Sequence, residues 1–79
     1  MITLEQAKVL THGQILYHTT LRNADGTPQR WRVNGMVKTW KRSPGKVRVP
    51  LKYGLWGFGY LNEHILDDFY FTEKEAMES

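Results

Sequence analysis

Alternation with period two runs through most of this chain. Residues 46–53 are the cleanest case, with Val47, Val49, Leu51 and Tyr53 on one side and Lys46, Arg48, Pro50 and Lys52 on the other. That pattern belongs to a strand with one face on a core and one in water. Residues 29–42 alternate over a longer stretch. Trp31, Val33, Gly35, Val37 and Thr39 take the odd positions, and Arg30, Arg32, Asn34, Met36, Lys38, Trp40 and Arg42 the even ones. Asn34-Gly35 alone is a strong hairpin signal, but a two-residue turn there would put Arg32 on the same face as Val37. A single long strand keeps every residue in its class, and Gly35 allows it a sharp bend. The better turn is Ser43-Pro44-Gly45, which makes the strands on either side neighbours.

The remaining elements are shorter. Residues 14–21 predict a strand with Ile15, Tyr17, Thr19 and Leu21 on its apolar face, followed by a polar loop containing Gly26 and Pro28. Residues 55–61 predict another, with Trp56, Phe58 and Tyr60 on one face and Gly57 and Gly59 on the other; here the rings are expected in the core, the glycines relieving crowding. Residues 69–72 make a last short strand. Thr3 and Gln6 fit a capping box that opens one helical turn through Val9, with Gly13 as its stop. Asn62 caps a second turn over 63–67. Residues 73–79 read as a frayed helical or disordered end. The expected organisation is one domain over 1–72 with a flexible tail over 73–79, and a core containing Ile15, Tyr17, Trp31, Val33, Val37, Val47, Val49 and Leu51.

Five strands of uneven length, a long bent second strand and a helical turn before the last one resemble the SH3-like small barrel, over residues 13–72. The fold class implied is mainly β, antiparallel. The run from 26 to 61 is also similar to small uncharacterised proteins of tailed bacteriophages, especially in Arg32-Val-Asn-Gly-Met-Val-Lys-Thr-Trp-Lys-Arg42 and Arg48-Val-Pro-Leu-Lys-Tyr-Gly-Leu55. That resemblance implies an accessory protein in the cytoplasm of an infected host cell and carries no assigned activity.

Composition narrows the chemistry. Seventy-nine residues make one small domain. The absence of cysteine excludes a disulfide framework and any thiolate-ligated metal. Three Trp, four Tyr and three Phe supply ring area instead. The longest apolar run, 53–61, is far short of the roughly 20 residues that span a bilayer. Residues 1–10 lack the basic start of a signal peptide. A cytoplasmic, soluble protein is expected.

Charge changes the picture most. Residues 22–52 hold nine basic side chains against Asp25 alone, a balance of +8; residues 53–79 hold Lys74 against six carboxylates, a balance of −5. Such a distribution suits a polyanionic partner for the middle segment, or else an acidic C-terminal segment that lies over the basic strands and neutralises them. Strand parity gathers Arg30, Arg32, Lys38, Arg42, Lys46, Arg48 and Lys52 outward, with Trp40 among them. Cations that track phosphates around a ring that stacks bases are the elements of a nucleic-acid-binding surface without strong sequence preference. Gly57-Phe58-Gly59-Tyr60-Leu61 matches the centre of an aromatic RNA-binding strand motif but fails at both of its ends. Gly35-Met-Val-Lys-Thr-Trp40 resembles the first strand of cold-shock domains, although their following Gly-Phe-Gly strand stands much closer than Gly57 does here.

Other chemistry finds little footing. His12, His18 and His64 lack metal-ligand spacing, Ser43 has no histidine near it in sequence while Ser79 is terminal, and no glycine-rich loop precedes a helix. No enzymatic activity, cofactor or metal is expected. The competing function is a protein-interaction module, in which Trp40, Tyr53, Trp56 and Tyr60 line a groove for an extended, acidic partner segment.

Overall fold

In the computed structural model, which describes residues 1–78, the N-terminal capping box forms. Gln6 N–H donates to Thr3 Oγ1 at 3.1 Å and Thr3 N–H donates to Gln6 Oε1 at 2.9 Å. It opens α1, Leu4–Lys8. A helix this short cannot stand alone, and it lies over the sheet with Ile2, Ala7 and Leu10 buried. The strands follow as β1 (Ile15–Arg22), β2 (Pro28–Val33), β3 (Lys38–Thr39), β4 (Val47–Tyr53), β5 (Gly57–Asn62) and β6 (Phe69–Tyr70). A single 3-10 turn, Leu66–Asp68, precedes β6, and α2, Glu73–Glu78, ends the chain. All pairings are antiparallel, in one open sheet. The protein is therefore a small, mainly β, barrel-like domain.

Six strands stand where about five were expected, because the long second strand is broken into β2 and β3. Neither a two-residue hairpin nor an uninterrupted strand describes the break. β5 pairs with β4 along one edge from Arg48 to Tyr53. β2 and β3 lie end to end along the other, both antiparallel to β4. Arg32 pairs with Lys52 and Val33 with Leu51, whereas Lys38 pairs with Arg48 and Thr39 with Val47. Two extra residues are thus absorbed between the two pairings.

Pro50 explains where. The Asn34 N–H donates to the Pro50 carbonyl at 2.8 Å. In an antiparallel ladder the opposed residue returns the bond, but proline has no N–H to return it with. The ladder stops at that point and the chain loops out. Gly35 makes the loop with φ of +134°, and a Cβ there would lie 3.0 Å from Pro50 Cγ. Only glycine fits both the backbone angle and the contact.

The inner face of the sheet carries Leu16, Val33, Val47, Val49, Leu51, Leu61 and Phe69, all buried, and Leu4, Ile65 and Leu66 pack against them from α1 and the segment before β6. Four of the expected core residues, Val33, Val47, Val49 and Leu51, are in place. Trp31 and Val37 are half-buried against this core. The expected face of β1 is reversed. Ile15 is opposite Arg32 and Tyr17 opposite Arg30, so both sit half-buried on the outward side, where arginine stems can cover them. Leu16 points in instead.

A β-bulge accounts for the rest of β1. Between Tyr17 and Arg22 the register slips by three residues, which leaves amides out of the ladder. His18 Nδ1 takes up two of them, accepting from Thr20 N–H at 3.1 Å and Leu21 N–H at 3.0 Å. The polar residue that obscured the alternation is the cap of this bulge. At the C-terminal end the helical of the two expected alternatives is present. Residues 73–78 are helical, Ala76 is fully buried, and Arg22 Nη2 donates to the Ala76 carbonyl at 3.5 Å. Ser79 lies outside the described residues.

Two outcomes follow from these local constraints. Gly35→Ala forces a side chain into a positive-φ site against Pro50, and should cost about 1–3 kcal/mol in urea unfolding; a neutral result would mean residues 34–37 are not held as described. Burial, opposed by Asp68, holds the His18 imidazole below its ordinary value of 6.5. The unfolded chain therefore binds more protons just below that pH. The contribution of neutral His18 is complete above about pH 6.5 and is lost as the pH falls toward the folded-state value. His18→Asn keeps an acceptor but does not titrate, so it should flatten the dependence of stability on pH as the pH falls below about 6.5.

Candidate functional site

The outward face of the central strands is built by parity. Because the insertion opposite Pro50 is two residues long, even-numbered side chains of β2 and β3 remain on the same side of β4. Lys52 is flanked by Arg32 on β2 and Phe58 on β5, Arg48 by Lys38 on β3 and Asn62 on β5, and Pro50 by Tyr60. Arg30 continues the face toward β1, opposite Tyr17. Five of the seven expected cations, Arg30, Arg32, Lys38, Arg48 and Lys52, thus share one face on strands.

The other expected residues sit at its margin. Trp40 follows β3 directly, half-buried. Lys46 precedes β4 and lines a small hollow with Trp40, Arg48, Asn62 and Glu63. Arg42 stands in the turn between β3 and β4, exposed and outside any strand pairing.

β5 reverses the expectation for its rings. Its core-facing residue is Leu61, fully buried, with Gly57 and Gly59 on the same side; Phe58 and Tyr60 are 67% and 59% exposed, and Trp56 in the preceding turn is 89% exposed. Gly59 does admit a bulky ring, but it is Trp31 from β2, while Gly57 admits the backbone of Tyr53. A Cβ on Gly59 would lie 3.5 Å from Trp31 Cζ3. Trp31 in turn meets Tyr53 and Phe69 edge-on, with centroids 5.2 and 6.5 Å apart. Alternating rings and glycines look the same whichever face is buried. The signal that could have decided it is Leu61, whose burial requires the glycine side to be inward.

Cations and rings on the outward face are in contact. The Arg48 guanidinium lies 5.8 Å from the Trp40 centroid and 5.4 Å from that of Tyr60; Lys38 Nζ lies 5.2 Å from Trp40, and Lys52 Nζ 5.6 Å from Phe58. Such pairs are worth roughly 0.5–1 kcal/mol each at exposed sites. Arg48 thus meets one indole and one phenol at once.

No carboxylate among the described residues forms an ion pair with a cation of this face, although Glu63 lines the hollow beside Lys46 and Arg48 and feels the charge of Lys46. Among the described residues the one ion pair is His64 with Glu63, at 3.3 Å. Glu63 also accepts from the Val47 N–H at 3.1 Å, and that bond leads the causes that hold its carboxyl below the usual range. The acidic C-terminal segment meets the β1 end of this face and leaves its β4–β5 end alone: α2 contacts β1, β2 and β6, and Glu73 lines the hollow that also holds Arg30 and Tyr17. Among the described residues no group of three or more His, Asp or Glu is placed to share a metal ion, and no helix is long and apolar enough to cross a membrane.

No family model, curated protein or solved structure matches this chain. The assignment of β5 faces is testable by mutation alone. Leu61→Ala should cost about 2–5 kcal/mol as a core truncation, whereas Phe58→Ser and Tyr60→Ser should each change stability by no more than about 1 kcal/mol. The reverse ranking in urea unfolding would place the rings inside.

Proposed function

We propose that this protein is a small non-enzymatic domain that binds nucleic acid on the outward face of β2 to β5, with weak sequence preference. The observation that carries the reading is the mixture on that face. Exposed rings of Phe58 and Tyr60 stand in register with, or beside, Lys52 and Arg48. A face meant only for water has no reason to hold Phe58, Tyr60 and Trp56 out, because exposed rings forgo the burial that a small core needs. A face that tracks phosphates and stacks bases needs both residue types close together. Arg30, Arg32, Lys38, Arg48 and Lys52 supply the charge, with Lys46 and Arg42 at the edge. Trp40, Tyr60 and Phe58 supply the planes.

The salt dependence of binding to a random-sequence oligonucleotide tests this. With about four or five phosphate contacts, log K should fall against log salt with a slope of roughly −3 to −4. Reversing Arg32, Lys38 and Arg48 to Glu should flatten the slope while the fold survives, since all three side chains are exposed. Tyr60→Ser should weaken single-stranded more than duplex binding, by about 1–3 kcal/mol. Binding that is absent at low salt, or indifferent to the three reversals, would overturn the reading and favour an acidic protein partner on the same rings.

A further inference from the structure

The free edge of β5 carries a separate interaction site, and we propose that its occupant is the β5 edge of a second copy of this chain. This goes beyond the face described above and does not depend on it. Which β5 groups are available follows from Pro50. Its carbonyl accepts from Asn34, so residue 50 directs its backbone toward β2. Strand alternation then sends the backbone groups of residues 49, 51 and 53 toward β5. Their partners Leu61, Gly59 and Gly57 answer them. The N–H and C=O of Phe58 and Tyr60 consequently point away from β4. Among the described residues β5 pairs with no strand but β4. At the end of β5 the matter is already settled, since the Asn62 carbonyl accepts from Ile65 N–H at 3.2 Å. Two donors and two acceptors remain on the open stretch.

Natural sheets protect such an edge with a lysine, a proline, a bulge or a covering segment. Gly57-Phe58-Gly59-Tyr60-Leu61-Asn62 has no charge and no proline, and its pairing with β4 runs without a bulge. What the stretch does have is self-complementarity. An antiparallel pairing about a two-fold axis at Gly59 sets Phe58 against Tyr60 of the second copy, and Tyr60 against its Phe58. Both residues have their backbone groups on that edge, so each pair exchanges two hydrogen bonds, four in all. The side chains become two aromatic cross-strand pairs on the outward face. Gly59 meets Gly59 at the closely spaced, non-hydrogen-bonded position, where nothing obstructs the approach. The β4 backbones that root the nearest cations would stand three strand spacings apart, about 14 Å. Arg48 and Lys52 lean over Tyr60 and Phe58 of their own β5, so repulsion between the copies is weakened by the ring pairs between them and screened by a Debye length of about 8 Å at physiological ionic strength. Leu55 and Trp56, 78% and 89% exposed at the tip of the β4–β5 turn, come by register beside residues 62 and 63 of the second copy and add apolar area to a short interface.

The chain's lack of cysteine makes a decisive probe available. Residues at a non-hydrogen-bonded antiparallel pair have Cα atoms about 4.5 Å apart, within the range a disulfide spans. Gly59→Cys, mildly oxidised without nucleic acid, should give a covalent dimer far faster than Ala24→Cys in an exposed loop. Its Cβ meets only ordinary contact with Trp31, so the fold should tolerate it. Sedimentation of the unmodified chain should show the mass rising toward twice that of one chain as concentration increases. Tyr60→Pro removes an edge donor that the β4 ladder does not use, and Tyr60→Lys adds an edge charge without touching the backbone. Either should return the chain to monomer, with circular dichroism confirming the fold. A chain that stays monomeric at every concentration, crosslinking at Gly59→Cys no faster than at Ala24→Cys, or a dimer untouched by both Tyr60 variants, would each overturn the proposal.

Discussion

One hydrogen bond that runs in a single direction organises this molecule. Asn34 donates to Pro50 and Pro50 cannot answer. An imino acid in the middle of β4, the strand that pairs with three others, would be disruptive if its missing donor faced β5. It faces the other edge instead, and there the partner strand is allowed to break. Because two residues are inserted at the break, the sides of β3 match those of β2. An insertion of one or three would have sent Lys38 inward and Thr39 out, since side chains alternate with every residue. The distribution of charge on the outward face therefore depends on the length of a bulge set by a ring that carries no charge.

The inward face has a different economy. Its aliphatic residues are few, and much of the volume over β5 is filled by Trp31 lying against Gly59 rather than by β5 side chains. The sheet cannot close this core alone. α1 and the segment before β6 cover it, with Ile2 N–H donating to the Leu66 carbonyl at 3.3 Å to tie the two covering pieces together. Lys8 Nζ reaches the Pro44 carbonyl at 2.6 Å and fastens α1 to the β3–β4 turn. All the covering elements lie on the inner face or at the β1–β6 side. The outward face of β4 and β5 is left uncovered by the same arrangement that completes the core.

Legibility in the sequence followed how far each element obeyed one period. β4 alternates without exception, and its faces were readable. The Thr3–Gln6 cap is a local reciprocal pair and needs no tertiary information. Five of the seven cations expected outward share the strand face, because charge is rarely buried without a partner, while Arg42 and Lys46 fall outside the strands. β1 was misread because its alternation changes phase at a bulge, and the residue responsible, His18, acts through a ring nitrogen that mimics a backbone acceptor. β5 was misread because large rings and glycines alternate with equal regularity from either side. Pro50 was visible all along at an even position of a clean strand. The rule that a central strand tolerates proline only at an interruption would have located the break in the strand beside it.

The unequal charge of the two halves of the sequence becomes a spatial separation in the fold. Basic residues occupy the middle of the sheet, while Asp67, Asp68 and the carboxylates of α2 gather with β6 and β1 at the side away from β5. Charges so separated give the domain a direction in the field of a polyanion, with β5 leading and β6 trailing. The open edge of β5 lies on the leading side. Two copies joined there would present one continuous outward face with the acidic regions at its far ends. A single strand long enough to cross both would engage them as one bivalent site, its second contact made at the effective concentration set by the sheet itself. The proposed edge pairing and the proposed face binding would thus be perpendicular demands on the same strand. Gly57-Phe58-Gly59-Tyr60-Leu61-Asn62 can meet both because its backbone groups point along the sheet while its rings point out of it.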